Sequence, residues 1–242
     1  MIRKAMLLAA GRGTRMGKLT EELPKPMLPL NGRPMIEHIV RRLQQAGLRE
    51  ILIVVGYRRE LIEDHFRAGF SGVSFVVQDV AEGTASAVKL GRDFVGDEPF
   101  LLTFGDIVCD ASNYSGIAAE LERNGAAAAI GVKYADDPWQ GAAVYADAAG
   151  AVRKMIEKPD RGTSSTHWNS AGLYAFRPEI FEEIARAPKS ARGEYEITTA
   201  IQQLIEHGQL IEHGRPVCMF EMTGAWRDVG RPEDLAEADK IV

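Results

Sequence analysis

Ala5-Met6-Leu7-Leu8-Ala9-Ala10-Gly11-Arg12-Gly13-Thr14-Arg15-Met16 begins as an apolar run and breaks into a loop with two glycines and two arginines. The apolar part, Ala5 to Ala9, reads as a short buried strand. Glycine lets backbone come close to a ligand and leaves N–H groups free to point at oxyanions. Arg15, with Arg12 as a second candidate, adds a planar cation that matches phosphate. Leu23-Pro24-Lys25-Pro26-Met27-Leu28-Pro29 follows. Its prolines fix the backbone on both sides of Lys25 and hold the ammonium on a stiff segment. The two stretches together describe a phosphate cradle with a second cation aimed into it.

Two better-known phosphate loops do not fit. A Walker A loop needs Gly-x4-Gly-Lys-Ser/Thr, but Gly17 falls one residue too far from Gly11 and Lys18 is followed by Leu19. A dinucleotide fingerprint needs a third glycine where Met16 stands. The prolines at 24, 26 and 29 also exclude a long helix directly after the loop. By itself, a glycine-rich loop after a strand reads equally as a structural turn or a ligand loop.

Composition narrows the class. A chain of 242 residues can bury the core of one large α/β domain. Its net charge of −5 argues against a general nucleic-acid surface, so cations for an anionic substrate must be concentrated locally. The apolar runs are far shorter than the ~18–20 residues of a membrane span. Met1-Ile2-Arg3-Lys4 leads straight into the first strand without a signal-peptide pattern. Cys109 and Cys218 make no disulfide framework. The expectation is a cytoplasmic protein with no membrane and no nucleic acid among its partners. His38, His65, His167, His207 and His213 show no metal-ligand spacing.

Strands and helices alternate through the first half, the pattern of a parallel sheet covered by helices. Helices are predicted over 34–46, 60–66, 86–94 and 114–124, and strands over 50–55, 73–77 and 126–132, with 100–106 a further strand and its end. From about 133 the pattern turns β-rich, with strand-like segments at 142–145, 152–157 and around 167–174. Helices follow at 178–186 and 194–206, then a last strand at 216–222 and a closing helix at 233–240. Gln78, at a strand end, offers an amide suited to a base edge, and Gly83 would let that edge lie on backbone. The same loop also reads as a plain polar turn. Asp106, just past a buried strand, suits a hard cation or a simple turn.

Leu-Ala-Ala-Gly-Arg-Gly-Thr-Arg-Met followed by Pro-Lys-Pro-Met-Leu-Pro resembles the signature of the sugar-1-phosphate nucleotidyltransferases, the nucleoside-diphosphate-sugar pyrophosphorylases. Further matches run to residue 230. They include Gln78-x4-Gly83-Thr84-Ala85, Gly105-Asp106, Glu157-Lys158-Pro159 and Trp226-x-Asp228-x-Gly230. The resemblance implies an α/β fold, a Rossmann-like mostly parallel sheet flanked by helices, with a β-rich sugar-binding insertion in the second half. It implies one domain over 1–242, with a nucleotide-binding half to about 132 and a sugar-binding half beyond.

The implied activity is transfer of a nucleotidyl group from an NTP to a sugar 1-phosphate, with Mg²⁺ as cofactor and UTP or dTTP favoured. Arg15 and Lys25 take the catalytic roles. Leu8, Ala10, Gly11, Gly13, Thr14, Gln78, Gly83 and Thr84 bind nucleotide. Gly141, Glu157, Lys158 and Asn169 bind the sugar phosphate, with Gly172 allowing close approach there. Asp106 and Asp228 hold the metal, with Asp110 as a further carboxylate nearby. The partners are these small molecules, and a homo-oligomer is left open. Gln140 and Arg231 depart from the family's Tyr and Thr. These changes leave room for a cytidylyltransferase acting on a small phosphorylated alcohol such as phosphocholine. A non-catalytic nucleotide-binding regulator is the rival from another class.

Overall fold

The computed structural model describes residues 2–67, 69–210 and 214–242, so His213 lies outside the described residues. Strand β1 (Lys4–Ala9) leaves into two 3-10 turns, Thr14–Thr20 and Lys25–Met27. Strands β2 (Pro29–Leu30) and β3 (Arg33–Pro34) pair across Asn31 and Gly32, both at positive φ as a tight hairpin requires. Helix α1 (Met35–Gln45), β4 (Glu50–Val55), α2 (Arg59–Arg67) and β5 (Val73–Val77) follow. Then come α3 (Thr84–Lys89), α4 (Arg92–Val95), β6 (Phe100–Phe104), β7 (Ile107–Cys109) and α5 (Ser112–Arg123). The second half contains β8 (Ala128–Tyr134), β9 (Ala142–Ala146), β10 (Val152–Glu157), β11 (Trp168–Phe176), α6 (Ile180–Arg186) and α7 (Ile197–Leu210). It closes with β12 (Val217–Glu221), β13 (Trp226–Asp228) and α8 (Pro232–Asp239).

Strand β1 lies inside a nine-stranded sheet, between β6 and β4, with β5 beyond β4; these four strands are parallel. Both faces of β1 are covered. Ala5, Leu7 and Ala9 join one core, and Met6 and Leu8 the other. That is why the strand reads as an unbroken apolar run rather than an alternating one. The chain passes from β1 to β4 and β5 on one side, then returns to β6 on the other. A crevice opens at such a reversal, at the carboxyl ends of β1 and β6.

The sheet continues through β11, antiparallel to β6 and to β8, while β12 runs parallel to β8. The amino-terminal part of β11 also meets the β9–β10 hairpin through Asn169 and Ala143. Its register against β8 shifts between Ser170 and Tyr174. Gly172 sits in that irregularity at φ +72°, and a Cβ there would come within 2.9 Å of Ile107 Cγ1. The close approach that Gly172 permits here is that of the Ile107 and Phe104 side chains.

Three departures from the sequence expectation matter. The single helix predicted over 86–94 is two, α3 and α4, because the chain must pass Met6: a Cβ on Gly91 would lie 2.0 Å from Met6 Cε. Strand β12 is not the last. β13 follows and pairs antiparallel with β7, a two-stranded ribbon beside the main sheet. Asp110 is occupied in holding that ribbon, since its Oδ2 accepts the Ala225 N–H at 2.9 Å. Asn113, 1% exposed, completes the anchor: it donates to Thr223 O and accepts from Thr223 N–H, both at 2.9 Å.

Asn113→Ala leaves both Thr223 groups without these partners. It is expected to lower stability by about 2–3 kcal/mol and Tm by roughly 5–10 °C. Thermal unfolding checks this, and an unchanged Tm would show that the ribbon is anchored by other contacts.

Candidate active site

A cleft of about 520 Å³ opens at the predicted crevice. The exit of β1 contributes Leu8, Ala10, Gly11, Gly13, Thr14 and Arg15, and the following 3-10 turn contributes Lys25. Gln78 enters from the end of β5, Gly83 and Thr84 from the next loop, and Gly105 and Asp106 from the end of β6. The nucleotide-side residues singled out in the sequence thus line one cavity. Arg12 does not join them: its guanidinium lies over the Tyr57 ring, 5.3 Å from the centroid.

The two glycines of the loop have different tasks. Gly13, at φ +70°, seats the stem of Lys25: a Cβ there would approach Lys25 Cβ to 2.6 Å. A Cβ on Gly11 would meet nothing within 4 Å, so space lies open beside its backbone. Lys25 is buried, and its Nζ meets Asp106 Oδ2 at 2.6 Å. Asp228 arrives through the β7–β13 ribbon, which sets it opposite Ile107. The next residue, Val229, donates its N–H to Asp106 O at 2.9 Å. A Cβ on Gly230 would lie 3.5 Å from Arg15 Nη1 and 3.8 Å from Asp228 Oδ1. Arg15 and Asp228 therefore both flank this bare backbone, near enough for the guanidinium charge to act on the carboxyl.

Surrounding protein desolvates the Asp228 carboxyl, and the neighbouring Asp106 charge adds to that effect. Lys25 and Arg15 oppose both, and the net result is a carboxyl pushed up to about 6. The residue is nonetheless exposed, and it stands outside the lining of the 520 Å³ cleft. A neighbouring carboxylate disfavours the charged form of a desolvated carboxyl in this way.

On the base side, Gln78 Nε2 donates to Gly83 O at 3.3 Å. Gly83, at φ +114°, is pressed against another segment: a Cβ there would lie 2.4 Å from Tyr195 O. Ala85 N–H donates to Tyr195 O and Tyr195 N–H to Glu82 O, each at 2.8 Å. Thr84 Oγ1 accepts the Ile197 N–H at 2.9 Å, capping the first turn of α7 from a distant stretch of chain. This stitching delays the start of α7 relative to the predicted 194. It also brings Glu194 to the cleft wall, a residue the sequence does not single out.

The acceptor residues are divided. Glu157, at the end of β10, faces Arg192 (3.8 Å), whose Nε meets Glu196 at 3.1 Å. Desolvation and then the Glu196 charge push the Glu157 carboxyl up, against Lys158 and Arg192. Lys158 is exposed, holds a left-handed φ of +42°, and donates its N–H to Gly141 O at 2.7 Å. Gly141 and Asn169 line a second cavity of about 420 Å³, beside Trp139 and Arg161. Alternation along β11 explains this. Ala171 and Leu173 belong to one core, Trp168, Tyr174 and Phe176 to the other, and Asn169 shares the side of Ala171. Glu157 follows Met155 and Ala142 on the opposite side. Ser170 occupies the Tyr174 side, with Oγ 2.8 Å from Tyr174 Oη. Asn169 is thus set apart from Glu157, and Ser170 is the polar residue β11 presents on that face.

Residues 4–242 match the family model described as nucleotidyl transferase, and the chain belongs to that family. It is 34% identical to the UTP–glucose-1-phosphate uridylyltransferase AglF of Haloferax volcanii, over 98% of this chain and 95% of that protein. It is 33% identical to the low-salt glycan biosynthesis nucleotidyltransferase Agl11 of the same organism, over 99% of this chain and 66% of that protein. The chain spans about half the length of the bifunctional GlmU proteins it also matches. The fold superposes on a UDP-glucose pyrophosphorylase complexed with UDP-glucose, with a TM-score of 0.90, 22% identity and 99% and 98% of the two chains covered. No helix among the described residues is long and apolar enough to cross a membrane.

The raised Asp228 carboxyl has a consequence for stability. Ionising it costs the folded state, so its contribution is present below about pH 4 and is lost as pH rises through about 6. With a chelator present, Asp228→Asn is expected to stabilise the protein at about pH 8. The gain is roughly 1 kcal/mol once discounted for the solvent that reaches the group. The gain vanishes near pH 4. Thermal unfolding at the two pH values checks this; a lower Tm for the variant at the higher pH contradicts the crowding.

Proposed function

We propose that this member of the nucleotidyl transferase family transfers a nucleotidyl group from UTP or dTTP to a sugar 1-phosphate, releasing pyrophosphate. The observation that carries the reading is the convergence of Arg15, Lys25 and Asp106 in one cleft with the Gly11 backbone, with Asp228 close enough for the charges of all three to act on it. An anionic oxygen of the sugar phosphate attacks the α-phosphorus in line. The new P–O bond forms as the α–β bridging bond breaks, and pyrophosphate carries off the electron pair. The nucleophile is already an anion, so neither a strong base nor a covalent enzyme intermediate is needed. The protein's share is positioning and charge neutralisation.

The Gly11–Thr14 backbone and Arg15 hold the triphosphate. Lys25, fixed by Gly13 and the flanking prolines, neutralises charge at the α-phosphate. Lys158 and Glu157 face the incoming sugar phosphate. Gln78 gives one N–H of its amide to Gly83 O, which leaves its Oε1 and its second N–H for a base edge. Those two groups suit the adjacent acceptor and donor of a pyrimidine without choosing among pyrimidines. The name of AglF pairs UTP with glucose 1-phosphate, which makes that pair the first to test.

Asp106 and Asp228 fit Mg²⁺. They are hard oxygen donors, and their mutual crowding is what a divalent cation relieves. Among the described residues no third His, Cys, Asp or Glu joins them, so phosphate oxygens and water would complete the shell. When bound, the ion supplies further neutralisation of phosphate charge.

The test is pyrophosphate release with Mg²⁺, across NTPs crossed with sugar 1-phosphates and phosphocholine. Release is expected only when UTP or dTTP and one sugar 1-phosphate are both present. Lys25→Ala and Asp228→Asn should each lower kcat by ~10²–10³ with the fold retained. Release with CTP and phosphocholine alone would replace this reading with the cytidylyltransferase one. Near-normal turnover by Lys25→Ala would remove the role given to that lysine.

A further inference from the structure

The segment between Ala10 and Lys25 carries the triphosphate-facing groups, yet it has little core of its own. In its Thr14–Thr20 turn only Met16 and Thr20 are buried. Gly13 and Gly17 both take positive φ, a conformation any fluctuation can leave. The site is the gap between two parts of this segment, the Gly11–Arg15 backbone and the Lys25 ammonium. Gly13 and the prolines hold Lys25 from within the segment, and a group outside it ties the two parts together further.

The turn after β4, Gly56-Tyr57-Arg58, lies against it. Tyr57 N–H donates to Ala10 O at 3.1 Å, where the segment begins. The Tyr57 hydroxyl donates to Glu21 O at 2.8 Å and lies 3.3 Å from Thr20 O, just ahead of the prolines. Arg58 Nη2 reaches the same Glu21 carbonyl at 3.3 Å. A Cβ on Gly56 would approach Ala10 O to 2.8 Å, so the contact depends on glycine there. Thr20 in turn donates its Oγ1 proton to Gly13 O at 3.1 Å, and Gly13 seats the stem of Lys25. Only Thr20 and Gly13 separate the Tyr57 hydroxyl from Lys25. The Tyr57 ring also carries the Arg12 guanidinium, next to Gly11.

Resting on the transferase reading above, we propose that Tyr57 is a positioning residue for the triphosphate. It ties the start of the phosphate loop to its end and so sets the spacing between the Gly11–Arg15 donors and Lys25. It touches no reacting atom and acts through Ala10, Thr20 and Glu21.

Tyr57→Phe keeps the ring, the Arg12 contact and the backbone N–H, and removes only the hydroxyl. The KM and Kd for the NTP are expected to rise roughly five- to tenfold, while the KM for the sugar phosphate stays unchanged. A role in folding alone would lower the yield of active protein and leave both KM values where they were. Brief trypsin treatment gives a readout that needs no turnover: cleavage after Arg12, Arg15 and Lys18 should accelerate in the variant while other sites keep their rates. A variant equal to wild type in nucleotide Kd and in cleavage of this loop overturns the proposal. If the wild type binds NTP but releases no pyrophosphate with any acceptor, the transferase reading falls instead. The Kd and cleavage comparison would then still decide the role of Tyr57.

Discussion

Two like charges, Asp106 and Asp228, are held side by side by main-chain hydrogen bonds. The Val229 N–H to Asp106 O bond and the β7–β13 pairing fix the two stretches of backbone that carry these carboxyls, which keeps Asp228 within reach of the Asp106 charge. Everything else at the cleft answers to that constraint. Lys25 lies against Asp106, the Arg15 charge acts on Asp228, and glycine at position 13 leaves room for the Lys25 stem. Stability comes from elsewhere, chiefly the two apolar cores on either face of the sheet. A site of this kind is unfavourable in isolation and persists because the surrounding fold over-determines it.

The sheet supplies the geometry. Because β1 is covered on both faces, its only free end is the one that becomes the phosphate loop. Because β6 pairs directly with β1, Gly105 and Asp106 emerge level with that loop, and Gly105 N–H donates to Leu8 O at 2.8 Å. The second half then folds back over the same edge, contributing Asp228 through the ribbon and Glu194 through the loop before α7.

Features set by local chemistry were legible in the sequence. That Gly11, Gly13, Arg15 and Lys25 line one cleft was readable, because glycine frees the backbone and proline fixes it wherever they stand. The parallel half was readable because strands buried on both faces leave long apolar runs. Features set by distant partners were not. Strands β7 and β13 have three residues each, too few for a period, and exist because they pair with one another. The break between α3 and α4 depends on Met6, far away in β1. The side to which Asn169 turns depends on the parity of β11, and the choice between Asn169 and Ser170 needs the partner strands to be known. Thr84 matched a family motif, but its hydroxyl is engaged with the backbone of α7.

The seam between residues 82–85 and 195–197 bears on modularity. Base-side and acceptor-side loops are usually pictured as separate pieces, each free to vary with its own ligand. Here two main-chain bonds, a threonine cap and a glycine without room for a side chain join them. Neither loop can be exchanged by itself without leaving the other with unpaired backbone groups. The unit of inheritance, and of any graft aimed at new substrates, is the joined pair.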